Sequence, residues 1–504
     1  QITDAETKQV SGCTFKDIKS NPYFVRLNKD EMLYYNNRVE FTTASMENPA
    51  PVFIAQSYKS QKMTISQCTF INCVSRDGDG NVINCRVDVA LTIEGSRFVN
   101  CIVEKMTKPP GVIKFNEETP KGSLKLHDCI FQFSVDTLSC PALYGYCPDA
   151  TIESCTFSKC CAANLTGAVS NFKFANNIVT YSAHQGIIMK SLTGSCNISG
   201  NSFKFNKVTT ASYIELGSTN DNSKLLVSKN TFTNCKANGF VIQVSAKQPE
   251  IENCEFVFDA NDARTACGAI QSTGKGFSCK FCTFTKTFAE GAITVSQTDA
   301  QTDPVTVSNC IFDDCGGGNL RCFSFTTNTA SFTFSNNVVQ NMKATGGRGY
   351  FGQFKPNRKV NTLVLKNITF KDNACNSQYG GGTGLWIVEL NEVSFEDCKF
   401  INNLVTSSNR DTTPTGMTER YKSGDGGAFQ YGFTNTVYEI NLKFENCLFS
   451  RNKAVRHGGA LALQTVGTVV INKCTFEENV ANFKASSAEL LENHFTKKAE
   501  GRGG

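Results

Sequence analysis

The sequence predicts an all-β fold, a single parallel β-helix in which each repeat forms one coil of a solenoid. A Cys-x-Phe triplet recurs along the chain, degenerate copies fill most of the gaps, and short apolar runs lie between turn signals. Cys254, Cys282 and Cys310 begin three consecutive triplets that are each 28 residues apart. A fixed period of this size is typical of a solenoid.

The position of the phenylalanine in each repeat, here called the Phe slot, predicts about sixteen coils. The slot residues are Phe15, Phe70, Phe98, Phe131, Phe157, Val179, Phe203, Phe232, Phe256, Phe284, Phe312, Val339, Phe370, Phe400, Phe449 and Phe476. Two steps are longer than the others. The step from Phe15 to Phe70 predicts an irregular coil near Phe41, and the step from Phe400 to Phe449 contains a polar inserted loop, 404–425.

Each coil is predicted to contain a strand that begins with small residues, as in Gly268-Ala-Ile270, a turn, and a strand that ends in the triplet. Successive coils stack about 4.8 Å apart, so equivalent side chains form ladders and the phenylalanines stack inside the tube. Asn or Cys follows three residues after the slot, as at Asn206 and Asn373. We expect such an Asn to adopt a left-handed backbone and to hydrogen-bond the next coil.

This pattern divides the chain into an N-terminal cap with irregular first coils (1–60), the β-helix (61–482) and a C-terminal cap or tail (483–504). The best helix candidate is 486–498, which would cap the last coil or fray. There is no run of 18 apolar residues, so we expect no transmembrane segment in this chain.

The segment 449–461 reads Phe-x-x-Asn followed by Gly-Gly-Ala-Leu. This order resembles the repeat of the polymorphic outer-membrane proteins (Pmp), which belong to the pectate-lyase-like right-handed β-helix superfamily. Similar repeats are found in cysteine-rich surface proteins of protists. The resemblance covers most of residues 60–480 and implies right-handed coils and a surface-exposed, adhesive protein.

The chain has 24 cysteines, many of them in the repeat. We expect a mixture of stacked buried thiols and disulfides, because neighbouring coils bring equivalent Cα atoms within bonding range. The disulfide candidates are Cys140 with Cys147, joined by a short loop, and the ladder residues Cys254, Cys282 and Cys310. Zinc-ligand spacing is absent and there are only four histidines, so no metal or cofactor is predicted.

Three sequons place N-glycosylation candidates at Asn164, Asn197 and Asn367. Together with the cysteine content, they favour the secretory pathway and an extracellular or cell-surface location.

Catalytic interpretations are weak at the sequence level. Asp313-Asp314 resembles the paired aspartates of pectin hydrolases, but it occupies the ordinary turn of the repeat. His457 lies in the same kind of turn, and the calcium-like segment 76–81 aligns with the normal start of a coil. We therefore predict no catalytic residues.

The predicted function is that of a secreted or cell-surface structural or adhesive protein. Its partners would be proteins, glycans or further copies of itself, contacted through the loops 103–121 and 407–424. The alternative is a polysaccharide lyase or hydrolase, or a carbohydrate-binding β-helix. The net charge of +5 is mild and the sequence shows no basic stripe with interleaved aromatics, so nucleic acid is not an expected partner.

Overall fold

The computed structural model describes residues 7–17, 25–27, 31–40, 53–55, 61–75, 82–85, 88–103, 111–115, 122–134, 141–208, 212–258, 267–286, 291–297, 303–315, 322–327, 332–344, 352–356, 362–375, 385–387, 390–405, 426–431, 440–454, 458–463 and 466–481. The chain divides into two compact units, Gln1–Lys247 and Gln248–Gly504. Each unit is a right-handed parallel β-helix, and no helix occurs in the ranges given, which confirms the predicted fold class. The candidate helix 486–498 lies outside these residues.

Each coil has three main strands. The first strands of the first unit are Val25–Leu27, Phe53–Ala55, Ile83–Cys85, Ile113–Phe115, Leu143–Gly145, Ala163–Leu165, Ile214–Ser218 and Phe240–Ser245, and those of the second unit are Gly268–Ser272, Ile293–Ser296, Phe323–Thr327, Gly352–Pro356, Leu385–Ile387, Phe429–Tyr431 and Leu461–Leu463. In one coil the first and second strands merge into the single strand Ile187–Ser199.

The second strands of the first unit are Thr7–Ser11, Glu31–Tyr35, Gln61–Ser66, Val89–Glu94, Ser123–His127, Asp149–Glu153, Val169–Ala175 and Lys224–Ser228, and those of the second unit are Glu250–Glu252, Phe277–Lys280, Val305–Ser308, Phe332–Ser335, Thr362–Lys366, Glu392–Glu396, Ile440–Glu445 and Val466–Asn472. Short strands follow some coils, namely Val74–Ser75, Ile102–Val103, Lys343–Ala344, Ala374–Cys375 and Leu404–Val405.

The third strand of each coil, here called the Phe strand, holds the slot residue at its centre. The Phe strands of the first unit are Thr14–Lys16, Arg38–Glu40, Thr69–Ile71, Arg97–Val99, Ile130–Gln132, Thr156–Ser158, Ile178–Thr180, Ser202–Lys204 and Thr231–Thr233. Those of the second unit are Glu255–Val257, Thr283–Thr285, Ile311–Asp313, Val338–Gln340, Thr369–Lys371, Lys399–Ile401, Leu448–Ser450 and Thr475–Glu477.

The described residues thus hold nine Phe strands in the first unit and eight in the second, which are the sixteen slots of the sequence and one coil in the long step from Phe15 to Phe70, near Phe41. The additional coil is centred on Val39, which pairs with Phe15 on one side and Phe70 on the other. A valine flanked by charged residues gives no repeat signal, and Phe41, where the coil was expected, lies outside the described residues. In the second unit Phe400 pairs directly with Phe449, so the long step between them is a single coil.

The slot residues stack along each unit. Phe70 and Phe98 lie 5.0 Å apart between ring centroids in the first unit, and Phe284 and Phe312 lie 5.1 Å apart in the second, both nearly parallel. These rings are fully buried, so each adds burial of apolar area to the stacking itself. The Phe ladder is therefore the centre of the core in both units.

Three coils have valine in the slot, and each of them carries an aromatic residue five positions earlier, on the second strand. These aromatic residues are Tyr34, Phe174 and Phe334. Phe174 lies 5.8 Å from Phe157 and 6.2 Å from Phe203, so it fills the space that a slot phenylalanine would occupy at Val179. The interior keeps its volume because one large side chain is exchanged for another within the same coil.

Left-handed backbone turns flank the Phe strand, three residues before and two residues after the slot. Asn176 and Tyr181 are such a pair around Val179, with φ values of 55° and 56°. The buried Asn206, three residues after a slot, is not left-handed; its Oδ1 accepts the Ser182 N–H at 2.8 Å. The two roles expected of one Asn thus belong to two neighbouring residues. The residue two positions after the slot makes the turn, and the one three positions after it bonds the adjacent coil.

No helix long and apolar enough to cross a membrane is found in the part of the chain that the structure describes.

Candidate functional site

A polar groove of about 460 Å³ lies on the second unit, along the turns that follow four successive Phe strands. This cavity is here called the polar groove. It is lined by Thr285, Lys286, Asp313, Asp314, Asn341, Lys343 and Asp372. All of them lie one to four residues after a slot, so stacking of the coils aligns residues that are about one period apart in sequence.

The backbone of the groove follows the repeat. Asp314, Asn341 and Asp372 have φ values of 53°, 57° and 56°, the left-handed conformation that Asp and Asn tolerate better than most side chains. Their N–H groups donate to backbone carbonyls of the next coil, that of Asp314 to Gln340 at 3.0 Å. The local fold thus accounts for these residue types at these positions.

The groove carboxylates are engaged in bonds between coils. Asn341 Nδ2 donates to Asp313 Oδ1 at 2.7 Å, and Asn402 Nδ2 donates to Asp372 Oδ1 at 2.7 Å. Asp372 also accepts an ion pair from Lys371 at 3.4 Å. These contacts hold both carboxylates in place as parts of a hydrogen-bonded ladder.

The same amide-to-carboxylate bond occurs away from the groove. Asn446 Nδ2 donates to Asp397 Oδ1 at 2.7 Å, and Asn171 Nδ2 donates to Asp149 Oδ1 at 2.6 Å in the first unit. The bond of Asp313 is therefore one case of a recurring structural contact. This is the arrangement expected of a repeat turn rather than of a catalytic pair of carboxylates set apart by different environments.

The sequence offered two other candidates, one catalytic and one for a metal ion. His457 and the calcium-like segment 76–81 lie outside the described residues. Within the described ranges, no group of three or more His, Cys, Asp or Glu side chains is arranged to hold a metal ion.

In the described residues, 22 cysteines carry thiols, and 20 of them are buried. Stacked thiols contact the adjacent coil, as where the Cys129 N–H donates to Cys155 Sγ at 3.4 Å. Burial raises the pKa of the Cys161 thiol to about 12 and raises the pKa of Cys196 as well. These groups are protonated at neutral pH, and as thiols they are poor nucleophiles.

The disulfide candidates are placed as follows. Cys254, Cys282 and Cys310 carry thiols that point to backbone carbonyls of their own coils, at 3.3–3.4 Å. Cys310 Sγ lies 3.9 Å from Cys279 Sγ, which belongs to the preceding coil. Cys147 is a buried thiol, and Cys140 lies outside the described residues, so all these pairings stay predictions.

The sequons occupy three different environments. Asn164 and Asn197 are half-buried within strands that pair on both sides. Asn367 is exposed at a left-handed turn with φ 51°, where its Nδ2 donates to Asn336 Oδ1 at 2.9 Å. Asn367 is therefore the most accessible of the three candidates.

Sequence reasoning missed a second surface feature, on the first unit. Tyr181 and Phe205 occupy the left-handed turns of adjacent coils and are 52% and 47% exposed. Their rings stack at 5.4 Å with 13° between planes. They are 24 residues apart in sequence, so only the coil register brings them together.

A family model described as a right-handed beta helix region matches residues 111–284. Among curated proteins, the Metabotropic glutamate receptor-like protein R of Dictyostelium discoideum is 26% identical over 202 residues, which cover 38% of this chain and 12% of that protein. The chain thus spans a small part of that relative's length. Among solved structures, the PL6 family alginate lyase AlyGC aligns over 95% of this chain and 97% of its own. The identity is 8% and the TM-score is 0.17.

Proposed function

We propose that this protein is a secreted or cell-surface β-helix of the Pmp-like, cysteine-rich type with a structural or adhesive, non-enzymatic role. The observation that carries the proposal is the bonding of two of the three groove carboxylates. Asp313 and Asp372 are both fixed by amide groups of the next coil, as are Asp149 and Asp397 elsewhere. A general acid or base instead needs a carboxylate whose proton can be exchanged with a substrate.

The surface location is supported by the resemblance to Pmp repeats and by similarity to part of a protein named as receptor-like. Thiols such as those of Cys161 and Cys196 do not oppose it, since burial keeps them protonated and protonated thiols react slowly with oxidants. In this proposal, the stacked ladders hold the body rigid, and turns and loops on it contact protein or glycan partners or further copies of the chain. The segment 407–424 remains a proposed contact loop. The expected loop 103–121 is interrupted by the buried strand Ile113–Phe115, so only the parts of it before residue 111 and after residue 115 are proposed as contacts.

Carbohydrate binding without cleavage is the second candidate. It is favoured by the groove itself, which extends over four coils and is lined by Lys286, Lys343 and the Asp and Asn side chains named above. Such side chains can donate and accept hydrogen bonds to sugar hydroxyls.

Enzyme assays on the full chain separate these candidates from a lyase or hydrolase. Uronate and neutral polysaccharides are incubated with the protein, with and without calcium, and unsaturated products and new reducing ends are measured. We expect neither product, and we expect the Asp313→Asn variant to behave like the unmodified protein. Product formation that Asp313→Asn or Asp372→Asn abolishes, with unchanged thermal unfolding, would show that the protein is an enzyme.

A glycan array and surface labelling complete the test. Retention of glycans that is lost on Lys286→Ser and Lys343→Ser would favour the carbohydrate-binding candidate. An antibody to the protein is expected to label intact, unpermeabilised cells that express it; labelling only after permeabilisation would contradict the proposed location.

A further inference from the structure

The exposed aromatic pair on the first unit lies within a cluster of lysines. Lys204 precedes Phe205, and Lys207 follows two residues later; both are exposed. The backbone of Lys207 forms a parallel β-bridge with that of Lys236 on the next coil. These five residues, Tyr181, Lys204, Phe205, Lys207 and Lys236, are here called the basic aromatic ridge.

The ridge has no negative charge of its own. The three coil segments that form it, 178–186, 202–208 and 231–237, and the segment 156–160 of the preceding coil contain no Asp or Glu. In the part of the chain that the structure describes, no carboxylate pairs with Lys204 or Lys207. At the turn position that Tyr181 and Phe205 occupy here, the second unit has residues of both signs, Asp314 and Asp372 as well as Lys286 and Arg451. Positive charge is therefore concentrated on this edge of the first unit.

The left-handed backbone at Tyr181 and Phe205 is unfavourable for residues with such large side chains. Bulky side chains rarely adopt the left-handed backbone, and the same turn position holds Asn72, Asn100 and Asn234 in other coils of the unit. Stacking of one ring on the other returns part of that cost. Half of each ring nevertheless remains in water, so burial in the monomer does not account for the pair.

The shape of the ridge decides what kind of partner fits. Phe205 lies at a turn between two outward-facing lysines, so the rings project from a corner of the coil instead of lining a cavity. Small ligands and short oligosaccharides usually bind in concave sites. Single-stranded nucleic acid needs open ring faces on which bases stack, whereas here each ring covers a face of the other.

We propose that the basic aromatic ridge docks the protein on an anionic lipid surface. The ring edges of Tyr181 and Phe205 enter the headgroup region, where amphipathic aromatic side chains are favoured. Lys204, Lys207 and Lys236 face the phosphate and carboxylate groups of the lipids. The lysines complement the negative charge of such a surface, and the projecting rings can reach a flat surface that no cavity could enclose. The proposal does not depend on the absence of enzymatic activity.

Co-sedimentation of the full chain with vesicles tests this proposal. We expect binding to vesicles of equimolar phosphatidylcholine and phosphatidylserine, weaker binding at high salt, and none to phosphatidylcholine alone. Each lysine near an anionic surface contributes a factor of about five in affinity, so Lys204→Glu with Lys207→Glu should weaken binding by at least about 25-fold.

The aromatic variant is Tyr181→Asn with Phe205→Asn. Asn is the residue that fits this turn elsewhere, so we expect the same or a higher thermal unfolding temperature together with a loss of vesicle affinity of at least tenfold. The matched control is Phe281→Asn, which removes another exposed aromatic residue from a left-handed turn (φ 56°) and should leave vesicle binding unchanged.

Three results would overturn the proposal. They are absence of binding to the phosphatidylserine vesicles, binding that the ridge variants leave unchanged, and ridge-dependent retention on immobilised heparin without vesicle binding. The last result would assign the ridge to an acidic polysaccharide.

Discussion

The exchange of aromatic residues between the slot and the second strand predicts that two core positions are energetically coupled. Phe174→Ile alone removes a buried ring that contacts Phe157 and Phe203, and it should lower the free energy of unfolding by about 2–3 kcal/mol. Val179→Phe alone adds a ring to a filled interior, at a cost of about 1–3 kcal/mol. The double variant has Ile and Phe at these two positions, as the next coil does with Ile198 and Phe203.

We therefore expect the double variant to lose no more than about 1 kcal/mol relative to the unmodified protein, with a coupling energy of about 2–6 kcal/mol between the positions. Urea unfolding of the four proteins, followed by circular dichroism with m-values compared, measures this coupling. Val179→Phe combined with Phe284→Ile in the second unit is the control, for which the costs should add. Additive costs for Phe174→Ile and Val179→Phe would refute the reasoning, because they would mean that the two side chains do not share one space.

Three further predictions concern other parts of the fold. Asn201→Ala removes a buried amide that donates to the Phe174 carbonyl and to Asn230 Oδ1, so urea unfolding should show a loss of about 2–3 kcal/mol in the free energy of unfolding. Asn171→Ala, at an exposed position, should cost under about 1 kcal/mol, and equal losses would contradict the ladder argument. Burial raises the pKa of the Cys161 thiol to about 12, so the unfolded chain releases this proton first and stability should fall as pH rises from about 8.5 towards 12; a Cys161→Ala variant should show a shallower fall across the same urea series, and an unchanged slope would count against it. Expression through a eukaryotic secretory pathway followed by glycopeptide mass spectrometry should find glycan on the folded product at Asn367 and not at Asn164 or Asn197, because only Asn367 is exposed at a turn; glycan on a strand residue would contradict this.

The groove and the ridge show how differently the two sites could be read from the sequence. Asp313-Asp314 is visible as a pair along the chain, and its place in the repeat turn already predicts a structural role. The bonds of Asp313 to Asn341 require knowledge of which coil lies next and in what register. The ridge is visible along the chain only in part, because Lys204, Phe205 and Lys207 are neighbours in sequence whereas Tyr181 is a whole coil away.

The sequence by itself determined the class of fold, because a side chain that recurs at a fixed period is buried at the same place in every coil. It located sixteen of the seventeen Phe strands by their slot residue, and it indicated the seventeenth, centred on Val39, only through the long step from Phe15 to Phe70. The tertiary structure decided three things that the chain pattern could not specify. Phe174 fills the space left by Val179, and the residue that makes the turn differs from the Asn that bonds the next coil. The lysines and the two rings of the ridge lie on one edge. The physical reason is that periodicity fixes position within a coil, whereas contacts between coils depend on the length and register of every turn that separates them.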